Sequence, residues 1–288
     1  MKSWLLAARL KTLPAAMSPV ILGCALAYHD GSFYFFIFAM TLLAAVLIQV
    51  GANFANDVFD FQKGADRDDR LGPTRATQSG LISAEKMKKA MWQTFALAIC
   101  VGFYLAFKGG WPIVWIGLAS IAAGIAYTGG PYPLGYHGFG DVFVFIFFGL
   151  LAVPGTYYLQ SGTVNEMSLW MGAVMGMLST AILVVNNLRD ADMDKLSGKR
   201  TLAVQFGKQF SKIQYSIFIL IPFLLPLYIW WNVENELSLL ITIFALPISL
   251  HLINQIFSLT GSDLNLVLAR TARFLFIFTL LLSAGLVF

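Results

Sequence analysis

Charged side chains are scarce in this 288-residue chain. Asp, Glu, Lys and Arg make up 12% of it, about half of what a water-soluble domain carries. Hydrophobic residues make up 58%, and the mean hydropathy is +0.73. So little polar surface excludes a soluble globular fold. Cysteine is scarcer still. Cys24 and Cys100 both fall in apolar runs with no ligand-like spacing, which excludes a zinc site or a disulfide framework and leaves them as packing residues. The three histidines, His29, His137 and His251, have no spaced partners, so a histidine metal centre is excluded too. No small-residue cleavage pattern follows the first apolar run, which therefore reads as a retained span rather than a leader.

What the chain does have is long apolar sequence. A helix needs about 20 residues to cross the hydrocarbon core of a bilayer. Nine runs of that order stand between polar breaks, at 14–28, 33–55, 91–107, 112–127, 142–158, 169–186, 213–231, 237–257 and 269–287. The expectation is an all-α polytopic membrane protein, a single domain over 1–288, with nine transmembrane helices in a bundle. With the N-terminus in the cytoplasm, only Lys108 of the 19 Lys and Arg residues lies on the far side. That asymmetry is the positive-inside pattern. It accounts for the net charge of +4 without a nucleic-acid partner.

The polar residues concentrate in two long cytoplasmic loops, 61–90 and 189–212, and in the Gly- and Pro-rich segment 127–141. Eight of the 15 acids fall within 57–69 and 190–194. At the end of the second span, Gln49, Asn53, Asp57 and Asp60 recur at helical intervals and share a face. At the end of the sixth, Asn186 or Asn187, Asp190 and Asp194 do the same. Carboxylates gathered at a membrane boundary repel one another and require a counter-ion, and Asp and Asn oxygens suit Mg²⁺. Lys63, Arg67, Arg70 and Arg75 stand beside the first cluster, and Arg189, Lys199 and Arg200 beside the second. Acids interleaved with bases suit a metal-bridged diphosphate, whose free oxygens need further donors. The Gly129-Gly130 turn after Tyr127 and Thr128 offers backbone N–H groups and a hydroxyl to the same anion. Asp66, Asp68, Asp69 and Asp192 read equally well as ordinary loop charges. Lys86, Lys88 and Lys89 read as topology signals or contacts to anionic lipid heads.

The pattern Asn53-x-x-x-Asp57-x-x-Asp60 with Asp190-x-x-x-Asp194 resembles the two Asp-rich motifs of the UbiA-type intramembrane prenyltransferases. The likeness runs along the whole chain and is greatest to the branch that prenylates 1,4-dihydroxy-2-naphthoate for menaquinone. It is carried by ARLKTLPAAMSPV, QVGANFANDVFDFQKGAD, GPTRATQSGLIS, YTGGPYPLGYHGFGD, FFGLLAVPGTYYLQ and NNLRDADMDKLSGKRTLAV. The resemblance implies nine helices around a central cavity open sideways to lipid, in the bacterial cytoplasmic (inner) membrane with the active site toward the cytoplasm. It implies Mg²⁺ on Asn53, Asp57, Asp60, Asp190 and Asp194. Lys63, Arg75, Tyr127, Thr128, Asn187, Lys199 and Arg200 would approach the substrate. The implied reaction moves a polyprenyl group from its diphosphate to 1,4-dihydroxy-2-naphthoate with loss of CO₂. One alternative keeps the fold and takes another acceptor, such as 4-hydroxybenzoate. A secondary transporter is the alternative from another class, and it predicts acids near the bilayer midplane instead of at one surface.

Overall fold

The computed structural model describes residues 2–64, 71–232 and 237–288. Among these residues the fold is all helix, with no strand. A short helix, α1 (Lys2–Ala8), precedes the spanning helices α2 (Leu13–His29) and α3 (Phe35–Gln62). Next comes α4 (Ala84–Ala126), then α5 (Gly140–Phe145), which passes through a π-helical turn at Ile146–Leu151 into α6 (Ala152–Ser161). The long α7 (Glu166–Leu196) and the short α8 (Leu202–Phe206) follow. Beyond them come α9 (Lys208–Leu220), α10 (Leu224–Asn232), α11 (Leu246–Ser258) and α12 (Leu264–Val287). Among the described residues, eight helical segments are long and apolar enough to cross a membrane.

The expected third and fourth spans are joined in one 43-residue segment, α4. A straight helix of that length would measure about 65 Å, twice the hydrocarbon thickness. It is not straight. Gly110 has φ 67° and ψ −158°, a conformation only glycine adopts readily, and Pro112 follows with no N–H to donate. A Cβ built on Gly124 would lie 3.9 Å from Cζ of Phe95, although the two residues stand about 43 Å apart along an unbroken helix. The segment therefore folds back on itself at Gly110 as an antiparallel pair.

Helix α7 is the hub. Its buried residues, among them Met171, Met175, Leu178, Val184 and Val185, join one large core with side chains of α2, α6, α9, α11 and α12. Backbones meet most closely where the π-helical turn crosses α7. A Cβ on Gly149 would lie 2.4 Å from the Gly172 carbonyl oxygen, and one on Gly176 would lie 2.7 Å from that of Phe145. Pro154 shortly after the turn donates no backbone hydrogen bond, which frees a carbonyl in the preceding turn and favours the wider π ladder. A second core joins α1, α3 and the first arm of α4 through Phe54, Val58, Met87, Met91 and Phe95. Of the cysteines expected to pack internally, Cys24 is buried, whereas Cys100 is exposed on the outer side of α4.

Candidate active site

Between α2, α3, both arms of α4, the α5–α6 unit and α7 lies a cavity of about 1200 Å³. Along α3 its wall runs from Thr41 to Asp60, about 28 Å of helix rise. Most of that wall is apolar, with Val20, Leu105, Ile113, Phe147, Phe148 and Leu159 among its residues. The polar lining gathers at one end, where α3 and α7 finish.

Toward the polar end, α3 presents Gln49, Asn53, Asn56 and Asp60 to the cavity. Their spacing of four, three and four keeps them on one helical face. Asp60 is 2% exposed, and each of its oxygens has a partner. Arg75 Nη2 donates to Oδ2 at 3.0 Å, Tyr136 Oη donates to Oδ1 at 2.7 Å, and Lys199 Nζ stands 4.0 Å from Oδ1. Asn56 accepts from the Thr128 hydroxyl at 3.0 Å. Asn53 points its amide back toward the N-terminal segment, donating to the Ala8 carbonyl at 2.9 Å and to Thr12 Oγ1 at 3.0 Å.

Asp57 is placed differently from the expectation. It is 1% exposed and is not part of the cavity wall. Its two oxygens accept the backbone N–H groups of Ala76 at 3.1 Å and Thr77 at 2.9 Å. It thus clasps the turn that carries Arg75 and leaves the cavity face to Asn56. Counting back four residues from Asp60 identifies Asn56 in the sequence as readily as the chosen register identified Asn53 and Asp57.

On α7, Asn186, Asn187, Asp190 and Asp194 all line the cavity. Arg189 grips its neighbour Asp190 with two hydrogen bonds, Nε to Oδ1 at 2.8 Å and Nη2 to Oδ2 at 2.5 Å. The same guanidinium reaches Asn186 at 2.8 Å and Asn265 of α12 at 2.7 Å, so it ties the carboxylate to two helices. Lys199 Nζ lies 3.6 Å from Asp194 Oδ1 and 4.0 Å from Asp60 Oδ1. One ammonium therefore bridges the two motifs.

The Gly- and Pro-rich segment closes the polar end. Tyr127 and Thr128 line it, and burial pushes the Tyr127 phenol up, as do the negative charges of Asp141, Asp60 and Asp194. Lys63 lies outside the wall. It donates to the carbonyls of Thr128 at 2.7 Å and Gly130 at 3.1 Å and acts as a strut for the segment. Partial burial lowers its pKa, with Asp60 pulling the other way. Arg200 is exposed and also outside the wall, and its backbone N–H holds the Tyr136 carbonyl at 2.7 Å. Asn187 donates to Asp141 at 3.4 Å. Tyr136 and Asn265 were not singled out by the sequence. Asp66, Arg67, Asp68, Asp69 and Arg70 lie outside the described residues.

Among the described residues no three His, Cys, Asp or Glu side chains form a ready-made metal cage. Hard oxygen donors spread over two helix ends, with ammonium and guanidinium groups between them, fit Mg²⁺, which typically uses one or two carboxylates and completes its shell with substrate phosphates and water.

The model of the family described as the UbiA prenyltransferase family matches residues 16–282. A 1,4-dihydroxy-2-naphthoate octaprenyltransferase of Haemophilus influenzae is 35% identical over 303 residues, covering 99% of this chain and 96% of that relative. The Escherichia coli K12 protein of the same name is 40% identical over 216 residues, covering 72% of this chain and 69% of the relative. Among solved structures, a UbiA homolog from Archaeoglobus fulgidus bound to DMAPP and Mg²⁺ superposes with a TM-score of 0.69 at 15% identity, covering 99% of both chains. The apo UbiA homolog from Aeropyrum pernix K1 gives 0.72 at 12% identity, covering 96% of this chain and 97% of the other. These two likenesses concern the fold.

Proposed function

The chain belongs to the UbiA prenyltransferase family, and on that premise we propose that it transfers a polyprenyl group from polyprenyl diphosphate to 1,4-dihydroxy-2-naphthoate. The allylic C–O bond breaks, a C–C bond forms at the carboxylate-bearing ring carbon, CO₂ leaves, and the product is a demethylmenaquinol. The protein is an aromatic prenyltransferase and an integral membrane protein. We place it in the bacterial cytoplasmic membrane as one domain of nine crossings, α4 supplying two, with N-terminus and polar end toward the cytoplasm.

The observation that carries this reading is the cavity itself. One end presents Asp60, Asp190 and Asp194 with Lys199 and Arg75, the rest is an apolar chamber, and the two together run about as far as the hydrocarbon core of a bilayer is thick. That division suits a molecule with an anionic head and a long hydrocarbon tail. A transporter offers no reason for such a chamber, and its acids belong at the midplane.

Asp60, Asp190 and Asp194, assisted by Asn56 and Asn186, would hold Mg²⁺. Mg²⁺, when bound, supplies positive charge that stabilises the departing diphosphate. Lys199 and Arg75 are placed to donate to its non-bridging oxygens. Tyr136 and Arg75 fix the Asp60 carboxylate, and Arg189 fixes that of Asp190, so no large reorganisation is needed as charge develops. The apolar wall excludes water, which would otherwise capture an allylic cation before the ring does.

The test is turnover by the purified chain in lipid nanodiscs with Mg²⁺, octaprenyl diphosphate and 1,4-dihydroxy-2-naphthoate, read by mass spectrometry. Prenylated naphthoquinol that disappears with EDTA is expected. Turnover of 4-hydroxybenzoate alone would move the acceptor assignment, and no turnover of any aromatic acceptor would overturn the reading.

A further inference from the structure

Helix α12 carries one stripe of side chains, Leu266, Arg270, Arg273, Ile277 and Leu280, at intervals of four, three, four and three. Leu266, Ile277 and Leu280 are exposed, as the lipid-facing stripe of a spanning helix must be. Two arginines interrupt it. Counted from Leu264, next to the Asn265 that Arg189 holds at the polar end of the site, they stand about 9 and 14 Å along the axis. A guanidinium on a surface that faces lipid is costly unless it reaches an anion. Among the described residues neither arginine pairs with a carboxylate, and Arg273, which is exposed, has no hydrogen bond to the protein. Asp263, the acid at the start of α12, lies two turns below Arg270 and pairs with neither.

The adjoining face of α11 is polar over the same stretch. His251, Asn254 and Ser258 follow one another at intervals of three and four, and all three are exposed. Ser258 ends the helix, and His251 stands about 10 Å back from it. The two helices meet there, with Arg270 Nη1 and His251 Nε2 3.5 Å apart. Behind this contact Leu252 and Ile256 of α11 share a core with Leu264 and Val267 of α12. The outer groove between α11 and α12 is therefore a polar furrow that starts at the polar end and stops at Arg273, with the exposed apolar residues Leu250 and Phe257 beside it and Ile277 and Leu280 beyond it.

A partner for this furrow must bring an anion to the level of the two guanidinium groups and lay hydrocarbon along Ile277 and Leu280. A soluble anion has no hydrocarbon, and a neutral or zwitterionic lipid leaves the paired positive charges unbalanced. A phospholipid of net negative charge meets both demands. We propose that the α11–α12 furrow is a binding site for an anionic phospholipid, its phosphate held by Arg270 and Arg273, its headgroup along Asn254 and Ser258, and its acyl chains against Ile277 and Leu280. The long arginine side chains follow the apolar surface back toward the phosphate, which keeps their charge out of the hydrocarbon. Prenyl diphosphate is the rival occupant, because Leu268 and Ala269 on the next face of α12 line the cavity. Neither arginine belongs to the cavity wall.

The test reconstitutes the full chain in vesicles of phosphatidylglycerol and phosphatidylcholine in equal amounts, extracts it with nonionic detergent and reads the lipid that stays bound by mass spectrometry. Wild type is expected to retain phosphatidylglycerol in at least about tenfold excess, the scale of hydrogen bonds to a charged group. Arg270→Gln with Arg273→Gln removes the excess, and Arg270→Lys with Arg273→Lys keeps most of it. The single glutamine substitutions each lower it a few fold and decide the matter if the pair does not fold. Lys88→Gln with Lys89→Gln, which removes two exposed charges from α4, leaves it unchanged. No excess in wild type, an excess that survives the glutamine pair, or one lost equally on α4 overturns the site. A raised KM for octaprenyl diphosphate in the glutamine pair with the lipid excess intact gives the furrow to the substrate and overturns the proposal as well.

Discussion

The ends of α3 and α7 look alike in sequence and differ in what they do. Both place Asn a turn or so ahead of two Asp residues, and both run into basic loops. On α7 the two carboxylates, Asp190 and Asp194, face the cavity together. On α3 only Asp60 does, while Asp57 holds the backbone of Ala76 and Thr77. Half of the first motif builds the site and half supports the turn that brings Arg75 to it. A repeated pattern of acids is thus not a count of metal ligands, since a helix face decides which acid meets the cavity and which meets the protein.

The sharpest way to break that comparison is to remove each acid in turn. Asp60→Ala, Asp190→Ala and Asp194→Ala are each expected to lower kcat/KM at least about a hundredfold, the scale of losing a charge-stabilising group at a reacting centre. Asp60→Ala and Asp190→Ala also strand the buried cations of Arg75 and Arg189, so their melting temperatures fall as well, and it is the loss of activity that separates them from Asp57→Ala. Asp57→Ala should divide the other way. It leaves two buried N–H groups without an acceptor, at about 1–3 kcal/mol each, so the melting temperature falls clearly while part of the activity survives. Equal losses of activity at 57 and 60 would collapse the distinction.

Lys199, which bridges the two motifs, comes next in size. Lys199→Met should raise the KM for the prenyl diphosphate by about tenfold to a hundredfold, the range for a hydrogen bond to a charged group, and leave the acceptor KM alone. Smallest are the residues outside the wall. Lys63→Ala and Arg200→Ala are expected to change kcat/KM by only a few fold, because the first struts a loop and the second contributes a backbone N–H that alanine retains. A loss at Arg200 as large as at Lys199 would place its side chain on the substrate.

Much of the fold was legible because hydropathy reports burial in lipid directly. The break at Gly110 and Pro112 was legible too, since those two residue types interrupt a helix for stereochemical reasons. The π-helical turn was not, because it depends on glycines of α7 that meet it from elsewhere in the chain. At the site, two clusters of acids at matched helix ends were legible, and the structure adds that one ammonium, Lys199, stands between Asp60 and Asp194. The role of Asp57 did not follow. Its partners lie about twenty residues further on in an irregular turn, and 3.6 residues per turn let either Asn53 or Asn56 be grouped with Asp60. Tyr136 was hidden for the same reason, because only the folded loop brings its hydroxyl to Asp60.

The Mg²⁺ dependence of prenyl transfer in Asp57→Asn and Asp60→Asn, measured side by side with wild type over a range of Mg²⁺ concentrations, tests most directly whether Asp60 and not Asp57 serves the metal. The prediction is that Asp60→Asn shifts the half-activating Mg²⁺ concentration strongly upward or abolishes turnover, while Asp57→Asn keeps the wild-type Mg²⁺ midpoint at reduced stability. A shifted midpoint in Asp57→Asn with an unshifted one in Asp60→Asn would contradict it.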